Sequence, residues 1–187
     1  MATGSSDDEV VAATRAWVEK AIIGLNLCPF AKAVYLKEQV RFIVSPARTT
    51  GALTDDLESE LRYLAAMPAE VVETTLLIHP HVLTDFLDYN DFLDLAEAMV
   101  QALELEAVIQ VASFHPRYQF EGTDPDDVTN YTNRSPFPLL HLLREESVER
   151  AVAAFPGVEQ IYQRNIDAMR RLGLTGLAAL GLIPRPE

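Results

Sequence analysis

The chain has 187 residues, 49% of them hydrophobic, and its 28 acidic side chains against 15 Lys and Arg give a formal net charge of −13. This length predicts a single domain over residues 1–187, and the apolar content is sufficient for a buried core, which excludes a disordered protein. The acidity argues against nucleic acid, which requires clustered positive charge, and against an anionic membrane surface. A small anionic ligand stays compatible with it, because one or two arginines can bind such a ligand locally.

The cysteine count and the N-terminal residues both indicate the cellular compartment of the protein. Cys28 is the single cysteine, so the chain cannot form an intramolecular disulfide and does not depend on an oxidising compartment. Residues 1–9 are polar and acidic, which is not the basic-then-apolar order of a signal peptide. No apolar run approaches the roughly 18–20 residues of a membrane span. We therefore expect a cytoplasmic protein.

Helices and strands alternate along the first two thirds of the chain. Ser6 and Glu9 form a capping-box pattern that starts a first helix, which we expect to end at Gly24. Short apolar runs predict three strands, at residues 40–44, 74–78 and 107–114. The intervening helices are marked by apolar stripes, namely Leu53, Leu57, Leu61 and Leu64 in one and Phe86, Tyr89, Leu93, Ala96, Met99, Val100 and Leu103 in the other.

The last third is predicted to be helical. Ser135 and Pro136 resemble the N-cap and first residue of a helix. That helix would carry Leu139, Leu140, Leu143 and Val148, and a further helix would carry Val158, Ile161, Tyr162, Met169 and Leu172. The order of elements predicts an α/β fold with a three-strand core sheet flanked by helices. A parallel sheet is favoured, with a mixed or ferredoxin-like sheet as the alternative.

A polar segment at residues 115–135 separates the third strand from these helices. It has no hydrophobic period, and loops longer than about 12–15 residues are usually functional or disordered. The segment and its flanks contain large anchors that disorder would not supply: Phe114, Tyr118, Phe120, Tyr131 and Phe137. We expect the segment to fold over the core as a lid or wall of a site.

Two His-Pro pairs end the second and third predicted strands. If the sheet is parallel, His79 and His115 lie at the carboxyl edge, where open α/β sheets bind ligands. His81 would lie on the same side as His79 if the chain stays extended. The alternative is structural, since proline cannot continue the strand ladder.

Arg134 is the candidate anion clamp of the segment. It precedes the predicted helix start at Ser135, where free backbone N–H groups favour an anion, and its fork can bind a carboxylate or phosphate. The other candidate substrate-binding residues are Asn130, Asn133, Tyr118, His79 and His81. Alternatively, Arg134 neutralises the aspartates of its own loop.

Cys28 is a candidate nucleophile, because a cysteine near a loop–helix junction can have a lowered thiol pKa. The alternative is a small buried hydrophobe. His79, His81 and His115 could supply three imidazoles to a metal, but no metal-binding motif such as HExxH or CxxC occurs. No glycine-rich phosphate loop occurs either, and we expect no cofactor.

Four stretches, WVEKAIIGLNLCPFAK, ETTLLIHPHVLTDFLDYNDFLD, VIQVASFHPRYQFEGT and NYTNRSPFPLLHLLRE, resemble a bacterial family catalogued as a domain of unknown function, number 1415. The resemblance extends from about Trp17 to Gly173. Its motifs contain all the candidate site residues, which are Cys28, His79, His81, His115, Tyr118, Asn130, Asn133 and Arg134. The family carries no assigned reaction, so the roles of these residues rest on their chemistry alone.

Three hypotheses follow. The first is a small cytoplasmic enzyme that acts on an anionic small molecule at the strand ends, as a thiol-dependent hydrolase or acyl transferase. His115 would be its general base and Cys28 its nucleophile. The second is a non-catalytic module that binds a small ligand or a protein partner, and the third is a metal-dependent enzyme.

Overall fold

The computed structural model describes residues 6–154, 157 and 160–183, which form a four-stranded mixed sheet with helices on both faces. The helices are α1 (Asp7–Trp17), α2 (Ala31–Leu36), α3 (Thr50–Ala66), α4 (Phe86–Ala102), α5 (Glu145–Ala154) and α6 (Ile161–Ala179), with a π-helix at Val18–Ile23 and a 3-10 helix at Val128–Thr132. The strands are β1 (Val40–Val44), β2 (Thr74–Ile78), β3 (Ile109–Phe114) and β4 (Leu139–Arg144). The predicted α/β class is confirmed.

The sheet has the strand order β1-β2-β4-β3. β1 and β2 are parallel, whereas β4 is antiparallel to both β2 and β3. The three predicted strands therefore all run in one direction, and β4 lies between the second and the third. The mixed alternative is confirmed, and the sheet has one strand more than predicted.

β4 corrects the helix predicted from Ser135 onward. Leu139 and Leu140 belong to this strand and are fully buried, on opposite faces of the sheet. A short apolar run whose two faces are both covered is typical of a central strand, and its leucine spacing also fits one side of a helix. The helix begins only at Glu145. Of the residues that marked the last predicted helix, Val158 lies outside the described residues.

The start and the end of the first helix agree with the prediction. The Ser6 side chain accepts a hydrogen bond from the Glu9 N–H, and the Glu9 carboxylate accepts one from the Ser6 N–H. α1 continues directly into the π-helix, which ends at Gly24. A Cβ at Gly24 would clash with the backbone carbonyl oxygen of Lys20, so this position requires glycine.

Two apolar layers cover the sheet. One face packs against α3 and α4, and its centre includes Leu57, Leu77 and Tyr89. The other face packs against α1, the π-helix and α6, where Trp17 and Met169 are buried. Within the described part of the chain, no helix combines the length and apolarity that crossing a membrane requires.

Candidate functional site

The two histidines that were expected at the strand ends do lie at one edge of the sheet. His79 follows β2 and His115 follows β3, and neither side chain is exposed to solvent. The backbone N–H of His79 donates to the carbonyl of Pro138, and that of His115 donates to the carbonyl of Asn133. These bonds hold Asn133 of the polar segment against the end of β3 and Pro138, which follows the segment, against the end of β2.

Tyr89 from α4 lies between the two imidazoles. Its ring centroid is 5.8 Å from that of His79 and 5.1 Å from that of His115. Its hydroxyl accepts a hydrogen bond from the Phe114 N–H at 3.0 Å and donates one to the Leu139 carbonyl at 2.8 Å. Since Phe114 and Leu139 are register partners, the buried hydroxyl bridges the end of β3 to the start of β4.

Both imidazoles hold the turn that leads into α4. The Nδ1 of His79 donates to the Val82 carbonyl at 3.0 Å, and the Nε2 of His115 donates to the Leu83 carbonyl at 3.2 Å. Leu83 has a φ of 54°, which is unusual for a bulky residue, and two consecutive carbonyls of this turn are bonded to histidines. The Nδ1 of His115 accepts a hydrogen bond from the Arg117 N–H at 3.0 Å.

Burial keeps these rings neutral. It lowers the pKa of His79 to about 4 and lowers the pKa of His115 below its ordinary value. Both ring nitrogens of His115 are hydrogen-bonded to backbone groups, so neither is free to accept a proton from a substrate in this arrangement. The Nε2 of His79 is buried and has no hydrogen-bond partner among the described residues.

The three histidines do not converge as metal ligands. In the ranges 6–154, 157 and 160–183, no three His, Cys, Asp or Glu side chains lie where they could share one ion. His79 and His115 instead direct ring nitrogens at backbone carbonyls. His81 is half-buried in the turn between β2 and α4. This geometry does not favour the metal-dependent hypothesis.

The polar segment is folded around Asn130. The Asn130 Oδ1 accepts hydrogen bonds from the Phe120 N–H and the Thr123 hydroxyl, and its Nδ2 donates to the Asp124 carbonyl. The side chain is fully buried, so its polar atoms are used within the segment. The Nδ2 of Asn133 donates to the Ser113 carbonyl at 3.2 Å and ties the segment to β3.

Aromatic contacts attach the other end of the segment to the core. The ring of Tyr118 lies 5.2 Å from that of Phe86 and 5.0 Å from that of Phe120. Arg117 forms an exposed ion pair with Asp85, which caps α4. Tyr118 therefore packs as an anchor of the segment.

Arg134 has surroundings that differ from those expected. It precedes a strand and not a helix, so the expected helix N-terminus is absent. Its Nε donates to the Tyr118 carbonyl at 3.0 Å, its Nη2 donates to the Pro125 carbonyl, and its guanidinium lies 4.5 Å from the centroid of the Tyr131 ring. Among the described residues, no ion pair joins Arg134 to an aspartate of the segment.

Arg134 lines a cavity of about 470 Å³ on the α1 side of the sheet. Its lining includes Trp17 and Lys20 from the continuous helix that α1 and the π-helix form, and Tyr131 from the polar segment. The floor includes Met169 and Leu177, which are buried. No acidic side chain is among the described residues that line this cavity.

Cys28 is separate from that cavity. It is half-buried in the loop between the π-helix and α2, and it is not among the residues lining the cavity. The nearby Asn165 donates from Nδ2 to the Leu27 carbonyl at 2.9 Å, so this amide fastens α6 to the loop. The roles of nucleophile for Cys28 and general base for His115 stay predictions.

Sequence reasoning missed Lys20, Tyr89 and His141. Lys20 follows Trp17 by one helical turn, a spacing that could have placed it on the same face. His141 lay inside the wrongly predicted helix; in β4 its Nε2 donates to the Thr74 hydroxyl at 2.7 Å, and burial lowers its pKa to about 4.

Comparison with known families gives one match. A family model with the description "Protein of unknown function (DUF1415)" matches residues 9–179. Searches of curated proteins and of solved structures found no match.

Proposed function

This chain belongs to the family described as a protein of unknown function (DUF1415), and we propose that its 470 Å³ cavity binds a small organic anion. The main support for this proposal is the charge of the side chains that line the cavity. Lys20 from the π-helix and Arg134 from the polar segment both line it, and neither forms an ion pair among the described residues. In a chain with a net charge of −13, a wall with two cations and no carboxylate is a local reversal of charge.

That reversal matters because the field of the whole protein disfavours anions. A strongly acidic surface produces a repulsive potential of several kT, so an anionic ligand requires a local attraction. Charge-assisted hydrogen bonds from Lys and Arg to a carboxylate are about twice as strong as neutral ones. Lys20 and Arg134 are the two cations among the described lining residues that can provide that attraction.

Arg134 is held in position before any ligand arrives. Its Nε and Nη2 are bonded to the carbonyls of Tyr118 and Pro125, and its plane lies on Tyr131. These contacts leave Nη1 without a described partner and fix the direction in which it points. A side chain that is already ordered loses less entropy on binding, which favours affinity.

Binding without thiol chemistry is the hypothesis that this geometry favours. Cys28 does not line the cavity, and the ring nitrogens of His115 are engaged by the backbone of Leu83 and Arg117. We expect Cys28→Ala to leave anion affinity within twofold of wild type. Rapid alkylation of Cys28 that the bound anion blocks would favour the thiol enzyme instead.

The test is calorimetric titration with a panel of carboxylates, phosphate and citrate, at an ionic strength held constant with sodium chloride. Constant ionic strength is essential because dissolved salt screens the attraction between the anion and the two cations. Lys20→Met should weaken binding tenfold or more, about 1.4 kcal/mol. Lys37→Met is the matched control, because Lys37 is exposed, does not line the cavity and loses the same charge. Equal affinities of the two variants, or no saturable heat from any anion, would refute the proposal.

A further inference from the structure

The apolar part of the cavity wall identifies the class of ligand. Resting on the proposed function, we infer that the anion is a monocarboxylate with an apolar body, such as a medium-chain acid, and not a compact hydrophilic anion. The residues that line the cavity include eleven apolar side chains, two of them prolines, in addition to Lys20 and Arg134. A cavity of about 470 Å³ is within the roughly 300–1,000 Å³ range of small-molecule sites, far larger than a carboxylate alone requires.

Small side chains on the helix leave this space unfilled. Ala13, Ala16 and Ala21 line the cavity from one helical face, where larger side chains would occupy it. Met169 and Leu177 close the floor and are buried, at 0% and 1% exposure. A ligand without an apolar body would leave the half-buried lining residues Leu25, Leu182 and Ile183 in contact with water, whereas an alkyl or aromatic body would cover them.

The supply of donors favours a carboxylate over a phosphate. The Ser135 hydroxyl lines the cavity, but its proton is donated to the Phe137 carbonyl. The Nε and Nη2 of Arg134 are already bonded to carbonyls. The charged donors that remain are the Lys20 ammonium and the Nη1 of Arg134, which suit two carboxylate oxygens better than the three oxygens of a phosphate group.

The readout is the fluorescence of Trp17, which is the single tryptophan of the chain and lines the cavity. We expect saturable changes with butanoate, hexanoate and octanoate, with affinity rising about fourfold per methylene, which corresponds to about 0.8 kcal/mol for each buried CH₂. Phosphate and citrate should bind at least tenfold more weakly than octanoate. Neutral 1-octanol should also bind at least tenfold more weakly, because it cannot pair with Lys20.

Two alanine substitutions on α1 provide the structural control. Ala16→Leu places a larger side chain in the cavity and should weaken octanoate binding at least tenfold. Ala12→Leu makes the same change at an exposed position that does not line the cavity, and it should bind octanoate as wild type does.

The outcomes separate this inference from the proposed function. If phosphate or citrate binds in a Lys20-dependent way and affinity does not rise with chain length, the inference is overturned and the proposed function stands. If 1-octanol binds as tightly as octanoate, the carboxylate assignment is overturned. If no anion of either kind binds, both fail.

Discussion

Replacing Tyr89 by phenylalanine tests how the edge of the sheet is held together. The substitution removes one hydroxyl that accepts from the Phe114 N–H and donates to the Leu139 carbonyl, in a side chain with 0% exposure. The ring and its contacts with His79 and His115 would stay. The experiment therefore isolates the bridge between β3 and β4 from the packing around it.

The expected cost follows from the two backbone groups left behind. An unsatisfied buried donor or acceptor costs about 1–3 kcal/mol, so two such groups would cost about 2–6 kcal/mol without relaxation. Phe114 and Leu139 are register partners and can approach each other to form a direct bond, which recovers part of this. We therefore expect Tyr89→Phe to lower the free energy of unfolding by about 2–3 kcal/mol, at the lower end of that range.

Urea unfolding followed by circular dichroism measures this change. The slope of the free energy against urea should stay at the wild-type value, because the surface exposed on unfolding is nearly the same. Tyr162→Phe is the control, because its side chain is 63% exposed, and it should change stability by less than about 0.5 kcal/mol. A Tyr89→Phe variant as stable as this control would refute the bridging role.

Three further predictions concern the helix cap at Ser6, the pKa values of His79 and His141, and the polar segment. Ser6→Ala should lower unfolding free energy by about 1 kcal/mol in urea titrations, because it removes the capping box. Burial lowers the pKa of His79 and His141 from the ordinary 6.5 to about 4. As the pH falls, the imidazoles of the unfolded chain therefore take up protons before those of the folded chain do. Stability should therefore fall as pH drops from 6.5 towards 4, by up to about 1.4 kcal/mol per pH unit for each ring, and His141→Gln should remove one ring's share of that slope. Asn130→Ala should expose the amides of residues 118–134 to rapid hydrogen exchange while those of β2 stay protected, and unchanged exchange in the segment would contradict its organising role.

Local patterns were sufficient to predict the elements that depend on neighbouring residues. The capping box at Ser6 and the leucine stripe from Leu53 concern interactions within one or two turns of a helix. β4 could not be predicted in this way, because a run of leucines broken by His141 suits a strand buried on both faces as well as a helix. Its position between β2 and β3 depends on pairing with distant segments.

The candidate site could likewise be predicted only where local patterns or strand direction determine it. His79 and His115 were correctly placed at one edge of the sheet, since that follows from the direction of the strands. Their bonding to the turn at Leu83 depends on a left-handed backbone conformation that the sequence does not signal. Lys20 and Arg134 are far apart in the chain, and only the tertiary fold brings the π-helix and the polar segment to one cavity.

The most direct measurement of the central claim is a crystal structure of the protein with the tightest-binding anion of the panel. The account predicts the anionic group between the Lys20 ammonium and the Nη1 of Arg134, with the rest of the ligand against Trp17 and the floor of the cavity. Density for the anion at another site, with the cavity between α1 and the polar segment unchanged, would contradict it.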